Sequence, residues 1–166
     1  RLFVLPGQLA GRADGTLILD WRDRQPFCRG GAQLRQLRWR PATGVSRLDL
    51  PFSKLRCRGQ ALELDRSVWR WGAPGDKGLQ GTVRLEGRWD RNQLRLRQLE
   101  LARGSSWLRL RGSLANRLDL TGNWLLLPSD LPLQAGTPAW VLDQQVGGLV
   151  TARGPWALPQ LQARFG

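Results

Sequence analysis

Apolar and polar residues alternate along most of the chain, and this pattern is the main clue to its fold. In GTVRLEGRW, the residues Val83, Leu85 and Trp89 share one side of an extended chain and charged residues occupy the other. The alternation recurs in GTLILDW, VSRLDLP, NQLRLRQLEL, SWLRLRGSL and NRLDLTGNWLL. A period of two residues is typical of half-buried β-strands, and no window keeps helical spacing for three turns. The pattern therefore predicts an all-β chain.

Two of these segments change phase. The apolar positions shift by one residue between Leu96 and Leu99, and again between Leu34 and Leu37. One extra residue at each shift is what a β-bulge requires. Three glycines, Gly87, Gly112 and Gly122, interrupt the apolar side of alternating runs, where glycine commonly marks a bend or a close backbone approach. We therefore expect an elongated, strongly curled antiparallel sheet of eight to ten strands, a groove with an apolar interior.

Turn-forming residues separate the alternating runs without defining a second domain. They occur at 41–44, 72–78, 103–106 and 128–139. The last stretch is the longest without alternation, and we expect a loop or a short helical turn there. No linker divides the chain, so we expect a single continuous β-domain over residues 1–166.

One strand pattern occurs twice. Residues 81–96 align without a gap to residues 148–163, so that Val83 matches Val150, Gly87 matches Gly154 and Trp89 matches Trp156. This weak internal repeat indicates a chain that is extended by repetition. Because the chain has no Met and begins at Arg1, we also expect it to be a piece of a longer protein.

The charge is strongly positive, with 26 Lys and Arg against 13 Asp and Glu, a net charge of +13. Such a surface attracts nucleic acid or anionic lipid. Proteins that bind single strands stack bases on aromatic side chains of the cationic face. Here Trp89 and Trp124 are in phase with leucines, and only Trp107 is in phase with arginines. We expect a solvated outer face and no nucleic-acid partner.

Residues for catalysis are scarce. The chain has no His, so serine and cysteine triads lack their usual base. Glu63, Glu86 and Glu100 each occupy outward positions of alternating runs, where they would pair with neighbouring arginines. The segment GRADGT lacks the lysine of a phosphate-binding P-loop. The sequence predicts no enzyme, no metal site and no cofactor.

The two cysteines, Cys28 and Cys57, allow two interpretations. In an oxidising compartment they could form a disulfide that stabilises the fold by roughly 3–3.5 kcal/mol. Alternatively they are two unrelated, half-buried thiols. The longest unbroken apolar stretch, residues 124–127, is far shorter than the roughly 20 residues that cross a bilayer, so any membrane anchor would lie outside this chain.

The second half contains a unit of the form LxLxxLxL, LxLxGxL and LDL, closed by Asp-Leu, at residues 94–101, 108–114, 118–120 and 130–131. In this unit the chain resembles the TamB and AsmA-like family of bacterial envelope proteins. A closing signature adds Gly154, Pro159 and Leu161. The first half, around FCRGGAQLRQLRWRP and LRCRG, is also similar to the N component of type II secretion.

The TamB resemblance implies a periplasmic segment tethered to the inner membrane through regions outside this chain. It implies a taco-shaped groove for phospholipid transport between the inner and outer membranes or for outer-membrane protein assembly. Its expected partners are phospholipid acyl chains and a TamA-like barrel protein, the latter through the full-length chain. The residues expected to line the groove are Val83, Leu85, Trp89, Leu94, Leu96, Leu108, Leu110, Leu118, Leu120 and Trp124.

Two other functions stay open. The chain could be a structural or interaction protein of the secretion apparatus, like the N component, or a basic β-domain that binds nucleic acid. The lipid groove is our main hypothesis from the sequence.

Overall fold

Ten β-strands make up nearly all of the structure, a computed structural model that describes residues 7–22, 25–41, 46–73, 78–90, 93–115, 117–130, 144–155 and 159–166. The alternating segments form these strands because extended residues project to opposite faces in turn. The strands are β1 (Gly7–Arg22), β2 (Gln25–Pro41), β3 (Arg47–Gly59), β4 (Ala61–Gly72), β5 (Leu79–Asp90), β6 (Gln93–Arg103), β7 (Ser106–Leu114), β8 (Arg117–Leu126), β9 (Val146–Pro155) and β10 (Gln160–Phe165).

All ten strands belong to one sheet, and each strand pairs with its neighbour in the sequence. Every pairing is antiparallel. A 3₁₀ helix, Pro128–Asp130, follows β8 where the alternation stops. The prediction of an all-β antiparallel sheet is therefore confirmed, and the short helical turn falls within the stretch expected to hold one. The rest of that stretch lies outside the described residues.

The pairing register gives the sheet one apolar face and one polar face. Residues directly opposite each other in antiparallel strands project to the same side. From β4 to β10 one such row reads Leu62, Gly87, Leu96, Gly112, Leu120, Ala152 and Leu161. The buried apolar residues all lie on this apolar face: Cys28, Ala32, Leu50, Cys57, Val83, Leu94, Leu96, Leu120 and Ala152.

The predicted bulges are present, and the sheet has others that the sequence analysis missed. In β6 the register shifts between Leu96 and Leu99, and β2 shifts against β1 next to Gln36, whose φ is 53°. Strand β3 also changes phase, yet it keeps its pairing with both β2 and β4. Strands β2, β3 and β4 therefore change phase together. The pairing register shifts only at their outer neighbours, between β2 and β1, and between β4 and β5 at Leu64 to Ser67.

The expectation of a strongly curled sheet was wrong, because the sheet is neither closed nor strongly curled. In the described residues β1 and β10 each pair with a single neighbour, so the sheet stays open. The chain exposes 12085 Å², whereas a compact monomer of this mass would expose about 8300 Å². Apolar side chains of both outer strands are open to solvent, with Leu19 and Leu161 each 70% exposed.

The interrupting glycines explain part of this difference, because they make room for neighbouring side chains and backbone. A Cβ at Gly87 would lie 3.0 Å from Leu94 Cδ1 and 3.4 Å from Leu96 Cδ2, so leucines of β6 fill that space. At Gly122 a Cβ would lie 1.8 Å from the carbonyl oxygen of Arg109 in β7. These glycines serve close lateral packing within the sheet, and they do not roll it into a groove.

The sequence repeat is only partly repeated in the structure. Val83 and Val150 both lie on the apolar face, as do Gly87 and Gly154. The following hairpins are paired differently, since Asp90 is opposite Gln93 in the first whereas Arg153 is opposite Gln160 in the second. Trp156, the partner of Trp89 in the alignment, lies outside the described residues.

Cys28 of β2 and Cys57 of β3 lie at disulfide distance, with Cα atoms 5.6 Å apart. Both are buried on the apolar face. The register explains their proximity, because Gly30 is opposite Cys57 and Gly59 is opposite Cys28, which makes the cysteines diagonal neighbours. Of the two interpretations of these cysteines, the structure favours the disulfide.

We expect Leu96→Ala to lower the free energy of unfolding by about 2–5 kcal/mol, because Leu96 is 4% exposed and its removal leaves a cavity. Leu161→Ala is the matched control in the same row, and at 70% exposure it should cost less than about 0.5 kcal/mol. Denaturant unfolding followed by tryptophan fluorescence measures both. Equal losses for the two variants would contradict the burial described here.

We expect reduction of the Cys28–Cys57 pair to lower the free energy of unfolding by about 3 kcal/mol, because opening this loop restores entropy to the unfolded chain. Denaturant midpoints with and without reductant, together with thiol titration, measure the effect. The double variant Cys28→Ala/Cys57→Ala is the control and should not respond to reductant. An unchanged midpoint in fully reduced protein would refute the stabilising role.

Candidate functional site

The ten residues predicted to line a groove lie together on the apolar face. Their rows run across β5 to β8, where Leu85 is opposite Leu99, Leu99 is opposite Leu110, and Val83, Leu101, Leu108 and Trp124 follow one another. The same face continues over β1 to β4 and over β9 and β10, which was not predicted from the sequence. The signal was the same alternation, for example in Leu48, Leu50, Trp69, Trp71 and Val150.

A compact cluster forms the centre of the apolar face. Leu94, Leu96, Leu120 and Ala152 are buried there. The half-buried side chains packed around them are Leu62, Leu85, Trp89, Leu99, Leu110, Leu114 and Leu118. At the β10 edge, the rings of Trp124 and Phe165 meet edge to face with centroids 5.5 Å apart. The apolar face is therefore well packed at its centre and increasingly open toward its edges.

No second layer covers the apolar face within the described part of the chain. Every described strand belongs to the same sheet, and the one helical element has only three residues. A sheet with an apolar face is stable only when that face is buried against something. Lateral contacts bury the centre, but the edge side chains, including Phe165 at 74% exposure, remain available for contact. This face can accept an apolar partner.

The opposite face is rich in arginine, and part of its charge is paired. Glu86 accepts a contact of 2.5 Å from Arg84, and Glu100 accepts one of 2.8 Å from Arg109. This confirms the predicted role of these two glutamates as arginine partners. Glu63 lies opposite Arg56 in the register. The guanidinium of Arg56 donates to the Asp65 carboxylate, and this hydrogen bond raises the pKa of Arg56.

The tryptophans divide between the faces as the alternation predicts. Trp89 and Trp124 lie on the apolar face, opposite Leu94 and Leu108. Trp107 lies on the polar face, where the guanidinium carbon of Arg109 is 4.5 Å from its ring centroid. A cation held at this distance over an indole ring is attracted by the ring's negative face. Trp107, the one described tryptophan on the polar face, is thus engaged by an arginine.

The carboxylate of Asp130 fastens the 3₁₀ helix to the turn between β6 and β7. It accepts hydrogen bonds from the backbone nitrogens of Ser105 and Ser106, at 3.0 and 2.7 Å, and from Ser106 Oγ at 2.7 Å. The buried hydroxyl of Ser106 in turn accepts a 2.8 Å bond from the nitrogen of Leu127. Gly104, with φ of 56°, permits the approach, since a Cβ there would lie 2.0 Å from Asp130 Oδ1.

These hydrogen bonds hold the pKa of Asp130 below its ordinary value. The bond from the Ser106 side chain is the largest cause, the backbone nitrogens of Ser106 and Ser105 contribute further, and the nearby charge of Arg103 acts in the same direction. Burial opposes the shift. Asp130 closes the unit on which the TamB resemblance rests, and its role here is to hold local structure together.

Neither a metal-binding cluster in the described residues nor a comparison with known proteins indicates a function. The described residues contain no group of three or more side chains able to hold a metal ion. Among them there is also no helix with the length and hydropathy to cross a membrane. No protein-family model matches the chain, and searches of curated proteins and of solved structures give no match either. The two faces of the sheet are therefore the features from which a function can be inferred.

We expect Asp130→Asn to lower stability at neutral pH, because an amide accepts the three serine hydrogen bonds less strongly than a carboxylate. The lowered pKa makes the native advantage full above the unfolded-state value of about 3.9, and the advantage is lost as the pH falls through the lower folded-state pKa. The difference in urea midpoint between the two proteins should therefore be largest near pH 7 and shrink as the pH is lowered toward 3.

Asp119→Asn is the control for this comparison. Its carboxylate meets the exposed Arg153 at 3.1 Å, a surface contact that contributes little. The control should stay close to the parent protein at every pH. If Asp130→Asn behaved like Asp119→Asn at pH 7, the fastening role of Asp130 would be refuted.

Proposed function

We propose that this chain presents its apolar face to hydrocarbon in the bacterial envelope, as a periplasmic segment of a TamB/AsmA-like protein. In this function, phospholipid acyl chains, or apolar strands of outer-membrane proteins under assembly, pass along the face. The full-length protein would reach the inner membrane through an anchor and the outer membrane through a TamA-like barrel. The disulfide-distance pair Cys28 and Cys57 is compatible with an oxidising compartment such as the periplasm.

One observation carries the proposal: an apolar face continues across ten strands with no covering layer among the described residues. Exposed continuous apolar surfaces on proteins mark interaction or membrane-related sites. The ten residues predicted to line a groove, from Val83 to Trp124, lie in the middle of this face, so a ligand reaching them must come from the apolar side.

The dimensions suit an acyl chain. Neighbouring strands are about 4.8 Å apart, so ten strands span about 43 Å across the sheet. A phospholipid acyl chain covers about half of a hydrocarbon core of roughly 30 Å. Each Å² of apolar surface that is covered contributes about 25 cal/mol, so contact of an acyl chain with several half-buried leucines and Trp89 would favour binding, against the entropy lost on association.

The open edges support extension of the same surface. Strands β1 and β10 each leave one side unpaired in the described residues, and both carry exposed apolar side chains such as Trp21 and Leu161. Open edge strands with exposed apolar side chains readily pair with further strands. In a longer protein, neighbouring repeats would continue the sheet and lengthen the apolar path.

A second candidate is a structural interaction protein like the N component of type II secretion. It is favoured by the cysteine pair, because Cys28 and Cys57 belong to the segments that resemble that protein and lie together on β2 and β3. In this case the apolar face would bury protein, and purified chain would carry no lipid.

The test is phospholipid binding by the purified chain and by two double variants that each add two carboxylates. Leu110→Asp/Leu118→Asp changes the apolar face at half-buried positions, whereas Thr82→Asp/Ser113→Asp changes the polar face. We expect the parent and the polar-face variant to bind a zwitterionic phospholipid equally. The apolar-face variant should bind at least about tenfold more weakly, a loss of about 1.4 kcal/mol. Native mass spectrometry and quenching of tryptophan by brominated phospholipid measure binding.

Circular dichroism must first show that both variants retain the β-sheet. A second measurement needs no variant: brominated acyl chains should quench the parent's apolar-face tryptophans, Trp89 and Trp124, while the polar-face Trp107 stays unquenched, read out through single Trp→Phe replacements. Equal quenching at all three positions, or no lipid binding by the folded parent, would refute the lipid function and favour the secretion-like candidate.

A further inference from the structure

A cleft on the polar face lies where β6, β7 and β8 run side by side. Its volume is about 420 Å³, within the size range of small-molecule sites. It is on the side of the sheet away from the apolar face, because its polar side chains alternate along β7 and β8 with residues of that face. The polar residues that line it are Arg97, Gln98, Glu100, Arg109, Arg111, Thr121 and Asn123, and Leu110, Gly122 and Leu149 complete the lining.

The charge of this polar-face cleft is not balanced. Glu100 is its single carboxylate, and it is already shared between Arg109, at 2.8 Å, and Arg66, at 3.8 Å. The Glu100 side chain is only 14% exposed, so these arginines cover it. Within the described residues, Arg97 and Arg111 have no carboxylate partner. Two guanidinium groups with unused donors therefore face the same cleft.

The β6 bulge contributes one of these groups. Glu86 pairs with Gln98 and Gly87 with Leu96, so Arg97 is the extra residue of the strand. Arg97 also lines a second cleft of about 290 Å³, together with Arg58, Arg88, Glu63 and Glu86. A bulge typically redirects a side chain that the regular register would not bring to that place. Here it brings Arg97 to the border between the two clefts.

We propose that the polar-face cleft binds a phosphate group through Arg97 and Arg111. Guanidinium groups offer paired N–H donors that match the oxygens of a phosphate. Thr121 and Asn123 add neutral hydrogen-bonding side chains on the adjoining strand β8. Arg109 completes the positive wall and is fixed by Glu100 and by the ring of Trp107. This site does not rest on the function proposed for the apolar face, since the sheet separates the two.

Both free phosphate compounds and lipid head groups carry the phosphate that this cleft would bind. The apolar side chain of Leu149 at the edge of the cleft helps to distinguish these two sources. Leu149 is an apolar residue on the polar face, and its side chain is 54% exposed. An acyl chain next to the phosphate would contact it. Binding of pyrophosphate and of a short-chain phosphatidic acid, both measured below the micelle concentration of the lipid, separates the two sources.

The experiment is isothermal titration of the whole chain with pyrophosphate and with the short-chain phosphatidic acid, at 150 mM salt. We expect Arg97→Gln/Arg111→Gln to weaken binding of at least one ligand by about tenfold or more. The control Arg12→Gln/Arg38→Gln removes the same charge from neighbouring strands, β1 and β2, away from the cleft. It should change affinity by no more than about twofold.

The outcomes separate cleanly. Loss with the first variant and not with the control supports the site, and a further loss of lipid binding alone in Leu149→Ser assigns it to a head group. Equal loss in both variants would show attraction by net charge only and would overturn the proposal, as would binding to neither ligand. Should the first variant fail to fold, Arg97→Lys/Arg111→Lys keeps the charge and removes the paired donors, and unchanged affinity in it would also overturn the site. A failed lipid test on the apolar face leaves these outcomes unaffected.

Discussion

The structure depends on one constraint, that residues opposite each other in the nine strand pairings keep their side chains on the same face of the sheet. We call this agreement side-chain parity. Because side chains alternate in a strand, a slip of one residue in any pairing would move its leucines to the polar face. The chain includes such slips in β2, β3 and β4, but they occur together, so that Leu34 remains opposite Ser53 and Leu37 remains opposite Leu50. The apolar face survives because the bulges compensate one another. Without this agreement, there would be no continuous face for a ligand to use.

A sheet with one layer has a particular energetic pattern. Side chains in the middle bury one another laterally, while those at the edges have neighbours on one side only. Leu96 and Leu161 illustrate this, since they share a row and yet differ from 4% to 70% exposure. Burial of apolar surface, at about 25 cal/mol per Å², therefore stabilises the centre of the sheet. The edge side chains would add comparable stabilisation only when another surface covers them. The openness that weakens the isolated sheet is what makes a ligand-bearing role physically reasonable.

The sequence was sufficient to predict an antiparallel sheet, the common face of the ten residues from Val83 to Trp124, and the bulge between Leu96 and Leu99, because the alternation shows directly which residues share a face. It could not predict curvature, since parity says which side a residue faces and nothing about how far a sheet bends. The slip in β3 was hidden because Phe52 follows Pro51 at the change of phase, and both are exposed. The polar-face cleft could not be predicted from the sequence either, because Arg97, Arg111 and Thr121 line the same cleft only through the pairing register of three strands.

Because side chains alternate between the two faces, adjacent residues can contribute to different surfaces. Leu110 belongs to the apolar face, and the very next residue, Arg111, lines the polar cleft. A bulge residue escapes this alternation, and Arg97 uses that freedom to join the polar face without displacing Leu96 or Leu99 from the apolar one. Selection on one face can therefore change every second residue while leaving the other face intact. A single layer of strands can in this way carry a hydrocarbon surface and an anion site on opposite sides, with no second layer needed to keep them apart.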